Sequence, residues 1–591
     1  MGRRSSNNSV GTTNLSLTSP PPQPDVISML QMHPHPMLVD HIVETILNYV
    51  STTNLSQLLS LRTVCSLWNA YCTKLLQDKY YLSFGGHKYN VGRLKSFLDE
   101  FELDNNKDEN QNICEISHTK ITFPILRFRL FSDLFQECNK STVLKFISKF
   151  GPIAESLVIF KDINSDIEYT EEELSHFSFP RLKHLIFSDR RRSGFSQDAN
   201  AQSFLFQLVS SSRNTLTTLN IKFPREPIYE IFEKEELIIK VFEKCHMSRL
   251  RVLKLDMNIT DKVLKSLTLV NLRLKTLHLS LGASQFSSES LKTLLNSLRG
   301  SLEDLRLTDL YRRASLVVDL PELSNLKQFE IHGLELPAYF VTFPDFSYEA
   351  KMPNLKKLKL NTWAPIKAWE VFVPEVGKDR EELEPLRNSV QGVTALSLAM
   401  NFDCPVIMRR VTSMFLRVKV LEMHFSRSAV TALQVVFQNM NQLEELTLHQ
   451  SYLGEISTNC IDDVLTGLEV EECKWMLKKK AYKVGDLSGM GKKPNLSDLK
   501  NLKKFDMMSL RHRNTVTDVC GYLLFLKMPH LRTLDIGRTQ LSDACLRDLA
   551  VRFPHGKFEK YYLTKKTKGY SYGYDSSYYR NSAFTSICAV Q

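Results

Sequence analysis

Few residues in this 591-residue sequence stand at spacings that could do chemistry. Cys114 with His118, and Cys245 with His246, are the pairs a nucleophile and its base would need, yet cysteines of this kind are more often small buried residues. His33-Pro34-His35 brings two imidazoles together with no third ligand nearby, so no metal site is expected. The stretch from Gly485 to Lys493 imitates a phosphate loop, but its glycine spacing is wrong and Lys493 stands where a Ser or Thr would hold magnesium. The expectation is a chain with no catalytic residue and no cofactor.

Charge and the chain ends supply the other candidates. Between Lys478 and Lys504 nine lysines meet only Asp486 and Asp498. This basic insert, near 475–500, reads as a solvated loop, with an acidic or phosphorylated substrate, a nuclear-import signal or anionic lipid as the functional alternatives. The sequence finishes Cys588-Ala589-Val590-Gln591, a prenylation pattern whose last residue selects farnesyl, with Lys565, Lys566 and Lys568 upstream. Met1-Gly2-Arg3-Arg4-Ser5-Ser6 fits myristoylation of Gly2. One lipid chain binds membranes only marginally, so the lysines would have to act as the second signal. The alternative is an unmodified tail.

The elements that must position any site are repeats. L-x-x-L-x-L recurs in twelve copies, from Leu182/Leu185/Phe187 to Leu531/Leu534/Ile536, about 29 residues apart on average. Weaker copies are read at Leu157/Ile159 and at Leu465/Leu468/Val470. Eight copies keep polar residues at all three intervening positions, against roughly two or three expected from composition. In x-L-x-L the leucines share one face of a short strand, and the residues between them face out. That places Arg306, Glu330, Lys359, Glu422, Thr447 and Asp535 along one concave surface as candidate substrate-binding residues. Thr260 and Ser542 stand where helix N-caps would start the return leg. Only the Leu250 copy carries the Asn of an extended L-x-x-L-x-L-x-x-N pattern, as Asn258, so the solenoid should be irregular.

Ahead of the repeats the period changes. Leu38, Ile42, Ile46 and Tyr49 recur at helical spacing with Leu47 and Val50 beside them, and Leu61, Val64, Cys65 and Trp68 continue after a polar break. A hairpin this small cannot bury so many large residues alone, which points to a partner surface. The run from Leu38 to Val50 and then Leu61 to Asn69 resembles the F-box, roughly L-P-x-E-I-L-x-x-I-L-x-Y-L followed by L-x-x-V-C-x-x-W. It departs at Val39, where the family usually has Pro, and at His41, where it often has Glu. With the repeats, the chain resembles the F-box and leucine-rich-repeat family, the substrate receptors of Skp/cullin/F-box ubiquitin ligases. That resemblance implies that Leu38, Ile42, Ile46, Leu47, Leu61, Val64, Cys65 and Trp68 include the residues docking on a Skp-type adaptor. Through the adaptor comes a cullin, while the repeats hold a protein substrate.

The expected architecture is therefore α/β: a disordered tail over 1–35, an F-box over 36–84, a connecting segment over 85–150, an irregular leucine-rich-repeat horseshoe over 151–555, and a flexible Lys/Tyr-rich tail over 556–591. A non-ligase repeat scaffold binding a protein partner is the competing reading. Composition bounds both: 43% hydrophobic and 24% charged residues exclude wholesale disorder. No apolar run reaches the roughly 18 residues of a membrane span, and no signal peptide is read. Eleven cysteines without a C-x-x-C pair read as reduced thiols in cytosol or nucleus. The net charge of +11 is mild at this length, and no specific nucleic-acid module is read.

Overall fold

The computed structural model describes residues 66–85, 92–99, 126–135, 139–161, 169–189, 199–223, 231–257, 259–270, 272–281, 286–308, 316–334, 341–342, 347–362, 369, 372–373, 390, 392–399, 405–425, 430–450, 461–480, 493–507 and 516–560. The chain divides into two units, one of Met1–Leu82 with Gln111–Phe128 and one of Ser83–Asn110 with Arg129–Gln591. In the first unit the described helix is Ser66–Lys79, with Cys72 and Leu76, four residues apart and so on one helix face, both fully buried. The Arg127 guanidinium lies 4.8 Å from the Tyr81 ring centre.

Among the described residues sixteen strands form one sheet, and their order in space is their order in the chain. They are β1 Leu82–Phe84, β2 Arg127–Leu130, β3 Ser156–Lys161, β4 His184–Asp189, β5 Thr218–Lys222, β6 Val252–Asp256, β7 Thr276–Ser280 and β8 Asp304–Thr308. After the two-residue β9 Leu316–Val317 come β10 Gln328–Leu334, the short β11 Val341–Thr342 that pairs with β9, β12 Lys357–Thr362, β13 Ala395–Ala399 and β14 Val420–Phe425. The run closes with β15 Glu445–Gln450, β16 Lys504–Met507, β17 Thr533–Thr539 and β18 Lys557–Lys560. Every pair from β3 onward is parallel. Parallel neighbours that follow one another in sequence require a return crossing after each strand, so each repeat packs mainly on the one before and the one after.

The leucines explain why the chain repeats. Register puts Leu253, Leu277, Leu305, Phe329 and Leu358 in one column, and Leu255, Leu279, Leu307, Ile331 and Leu360 in the next, all fully buried. The leading residues Leu250, Leu274, Leu302 and Leu326 form a third buried column. Each such side chain contributes roughly 1.5–3 kcal/mol by leaving water. The weak copy at Leu157/Ile159 is β3.

The return legs are helical in many repeats, and their starts follow from capping. Thr260, Ser287 and Ser542 each accept a hydrogen bond from the backbone N–H three residues on, opening helices Asp261–Leu269, Ser288–Leu298 and Asp543–Arg552. The acidic residue after the cap then reaches the next repeat. Asp261 Oδ1 accepts from the Ser287 N–H at 2.7 Å, and Asp518 Oδ1 accepts from the Ser542 N–H at 2.7 Å. Asp462, 1% exposed, accepts from the Thr517 N–H at 3.0 Å and from its hydroxyl. These carboxylates tie consecutive helix starts together at a place where no L-x-x-L-x-L residue reaches.

Three features differ from the sequence reading. Residues 85–150 are more than a connection: they carry a helix over 92–99, β2 and helix Lys140–Phe150, with Phe84, Phe97, Phe146 and Phe150 rings 5.2–5.7 Å apart. The weak copy at Leu465/Leu468/Val470 is not a strand, because helix Asp462–Thr466 ends at Gly467 in the left-handed region (φ 71°) and helix Val470–Lys479 follows. The same helix begins the basic insert that reads as a loop; a capping box between Glu469 and Glu472 starts it. Asn258 lies outside the described residues. Asn325, Asn354 and Asn501 donate side-chain amides to the carbonyls of Gly300, Ser324 and Asn441, bracing the strand-entry edge at 2.8–2.9 Å.

Candidate protein-interaction face

The register lines up the residues between the paired leucines. Val158, Ile186, Asn220, Lys254, His278, Arg306, Glu330, Lys359, Ser397, Glu422, Thr447, Asp506 and Asp535 occupy successive strands at one level. All six candidates taken from the sequence stand in this row. Arg306 and Glu330 are neighbours; Lys359 and Glu422 flank Ser397; Thr447 follows Glu422; and Asp535 follows Asp506.

The row's charges are largely committed to one another. Arg306 Nη2 lies 2.9 Å from Asp304 Oδ2, and its Nη1 lies 3.5 Å from Glu330 Oε2. Glu422 Oε1 is 2.7 Å from His449 Nε2, and its Oε2 is 3.8 Å from Lys359 Nζ. The hydrogen bond from His449, with Lys359 helping, pulls the Glu422 carboxyl down to about 2. Asp535, 8% exposed, accepts from the Lys557 N–H at 2.9 Å. Burial dominates two imidazoles: it lowers His278 to about 4, and with the adjacent His449 it lowers His424 to about 4. His278 Nε2 lies 3.2 Å from Thr308 Oγ1, and the His424 and His449 rings are 5.1 Å apart. Burial and the Arg306 charge also lower Lys254.

Lys254, His278 and Asp506 belong to this row although the sequence reading passed over them. The signal was present, since each stands between the paired apolar residues of its own repeat. His424 and His449 sit two residues further along their strands and pair across β14 and β15.

A second row runs along the edge where the chain enters the strands. It takes the residue after each leading leucine or its equivalent: Glu155, Lys183, Thr217, Arg251, Lys275, Glu303, Lys327, Lys356, Thr394, Lys419, Glu444, Lys503 and Arg532. Each after Glu155 donates its N–H to the carbonyl of the one before at 2.7–2.9 Å. Eight of these thirteen are cations and three are carboxylates. Lys275 and Lys327 both reach Glu303 at 2.7 Å, and Lys419 and Lys503 reach Glu444 at 2.8 and 2.6 Å. Hydrogen bonds from those lysines bring both carboxyls down to about 2.

Leu38, Ile42, Ile46, Leu47, Leu61, Val64, Cys65, Gly2 and Cys588 lie outside the described residues; of Trp68 the backbone, in helix Ser66–Lys79, is described and the side chain is not. Cys114, His118, His33 and His35 are likewise outside. Cys245 is 1% exposed and burial raises its thiol, so beside the exposed His246 it presents no thiolate. Cys473 and Cys545 are pushed up to about 12 by burial. Among the described residues no group of three or more His, Cys, Asp or Glu is placed to hold a metal, and no helix is long and apolar enough to cross a membrane.

No family model matches the sequence, and no curated protein matches it. Among solved structures, an LRR protein of Leptospira interrogans is similar at 14% identity over 74% of this chain and 90% of its own, with a TM-score of 0.28. An internalin of Listeria monocytogenes is similar at 14% identity over 67% and 90%, with a TM-score of 0.24. The register and the three buried apolar columns themselves define an α/β array of leucine-rich repeats.

Proposed function

We propose that this chain is the substrate-recognition subunit of a cullin-type ubiquitin ligase, with an F-box that docks on a Skp-type adaptor and repeats that hold a protein substrate. The observation that carries the repeat half is the strand-centre row: an apolar scaffold with the same residue types throughout presents a different polar or charged side chain at nearly every step. Such a surface can be varied without disturbing the core, which is what selective protein binding requires. The adaptor half rests on the resemblance over Leu38–Asn69. In this reading the chain performs no chemistry; it brings a substrate to an enzyme supplied by the cullin.

Co-purification with a Skp-type adaptor tests the reading directly. Replacing Leu61 and Trp68 by Ala should abolish capture while the repeats stay folded, since each buried anchor is worth roughly 1.5–3 kcal/mol. Unchanged capture would leave the scaffold reading, in which the same row binds a partner without a ligase. Lipidation of Cys588 would draw the receptor to membranes; Cys588→Ser should then move it to the soluble fraction, and an intact mass retaining Ala589-Val590-Gln591 unmodified would rule it out.

A further inference from the structure

The basic row at the strand-entry edge takes no part in the function proposed above, and its geometry asks for a partner. Consecutive residues in it are joined by backbone hydrogen bonds, so their side chains leave the backbone at the strand spacing of about 4.8 Å. Its carboxylates are already taken: Glu155 by Lys183 at 3.0 Å, Glu303 and Glu444 by two lysines each. Three carboxylates cannot balance the row's eight cations, so like charge still stands beside like charge. Arg251 adjoins Lys275, Lys327 adjoins Lys356, and Lys503 adjoins Arg532, an arrangement that costs stability unless an anion comes from outside. Between β6 and β10 the row borders a depression of about 360 Å³ lined by Arg251, Arg273, Lys275 and Lys327, together with Ser301, Asn325 and the bridged Glu303. Arg251 Nη1 donates to the Arg273 carbonyl at 3.3 Å, which fixes that guanidinium at the depression.

We propose that this edge is a docking site for an acidic, Asp/Glu-rich segment of a protein partner, with Arg251 and Arg273 receiving a carboxylate in the depression beside the Glu303-bridged Lys275 and Lys327. A linear row suits a linear ligand. An extended peptide presents same-face side chains about every 6.6 Å, a pitch that long Lys and Arg stems reach from a 4.8 Å row. The row contains no aromatic residue on which bases could stack, so single-stranded nucleic acid is the poorer fit. The edge would act alike in a ligase receptor or a scaffold, so it does not depend on the adaptor reading.

The test is fluorescence anisotropy of the full chain with a labelled twelve-residue oligo-glutamate peptide, at low and at physiological salt. Binding should weaken with salt, and Arg251→Gln/Arg273→Gln/Lys356→Gln should weaken it at least tenfold. The charge-matched Lys244→Gln/Lys265→Gln/Arg409→Gln, on exposed helix positions, should stay within twofold of the parent. Equal loss in both triples would reduce the effect to net charge and overturn the proposal. So would an unaffected edge triple, or binding to anionic vesicles or single-stranded RNA with none to the peptide. Should the edge triple melt early, Arg251→Gln and Lys356→Gln singly, each expected to cost two- to threefold, take its place.

Discussion

The strand-centre row and the strand-entry edge both carry lysines, arginines and glutamates, one row on the strands and the other a residue ahead of them, yet physical chemistry treats them differently. At the centre, apolar columns below and neighbouring strands on both sides half-bury each side chain, so Glu422 binds its proton only near pH 2 and His424 stays neutral to about pH 4. At the edge Lys275, Lys327, Lys419 and Lys503 remain 50–62% exposed, and their ion pairs sit in water. Half-buried charges must be paired to be tolerated. Exposed charges carry a smaller penalty when unmatched, add little stability when paired, and can still attract an outside anion. A varied, self-paired centre suits selection by shape and hydrogen bonding; a cationic edge suits electrostatic capture.

The largest effect should come from the scaffold both rows share. Leu305→Ala removes a fully buried side chain beneath Arg306 and should cost about 2–5 kcal/mol in denaturant unfolding, disturbing both rows alike. A loss below 1 kcal/mol would mean that the repeats do not share a continuous core.

Next come the centre's own charges. Arg306→Ala leaves Asp304 and Glu330 without their cation, and with partial solvent screening should cost about 1 kcal/mol. Lys327→Ala at the edge should fall within about 0.5 kcal/mol of the parent. Equal costs would erase the distinction drawn between the rows.

Acidity sharpens it further. The folded chain keeps His278 and His424 neutral down to about pH 4, whereas the unfolded chain protonates them near 6.5. Between those values the unfolded state binds more protons, so stability is full above 6.5 and falls as pH drops toward 4, by up to about 1.4 kcal/mol per unit for each histidine. Glu422, lowered from 4.5 to about 2, adds a loss in the same direction but only below 4.5. His278→Gln/His424→Gln should flatten the window from 6.5 to 4 and keep the steeper loss below it. An unchanged slope would show that burial does not hold the rings neutral.

The smallest expected effect is Glu303→Gln. It removes a partly exposed bridge between Lys275 and Lys327, so the melting temperature should barely move, while the added positive charge should tighten oligo-glutamate binding about twofold.

How much was readable follows from range. L-x-x-L-x-L is local, and a short strand with two inward residues follows from its period alone, so the twelve copies and the row through Arg306, Glu330, Lys359, Glu422, Thr447 and Asp535 were legible in the sequence. The caps at Thr260 and Ser542 were legible for the same reason: an N-cap acts within three residues. What only the tertiary structure decided are relations between repeats. The Asp462–Thr517 tie joins residues 55 apart, and the bridges from Glu444 to Lys419 and Lys503 cross irregular spacings on either side. The helices at 462–479 also overrode an apolar triple that matched the repeat, because Gly467 at positive φ and the Glu469/Glu472 capping box favoured helix over strand there. Period names the element and the face; the length of each return leg, which no period encodes, decides which charges meet.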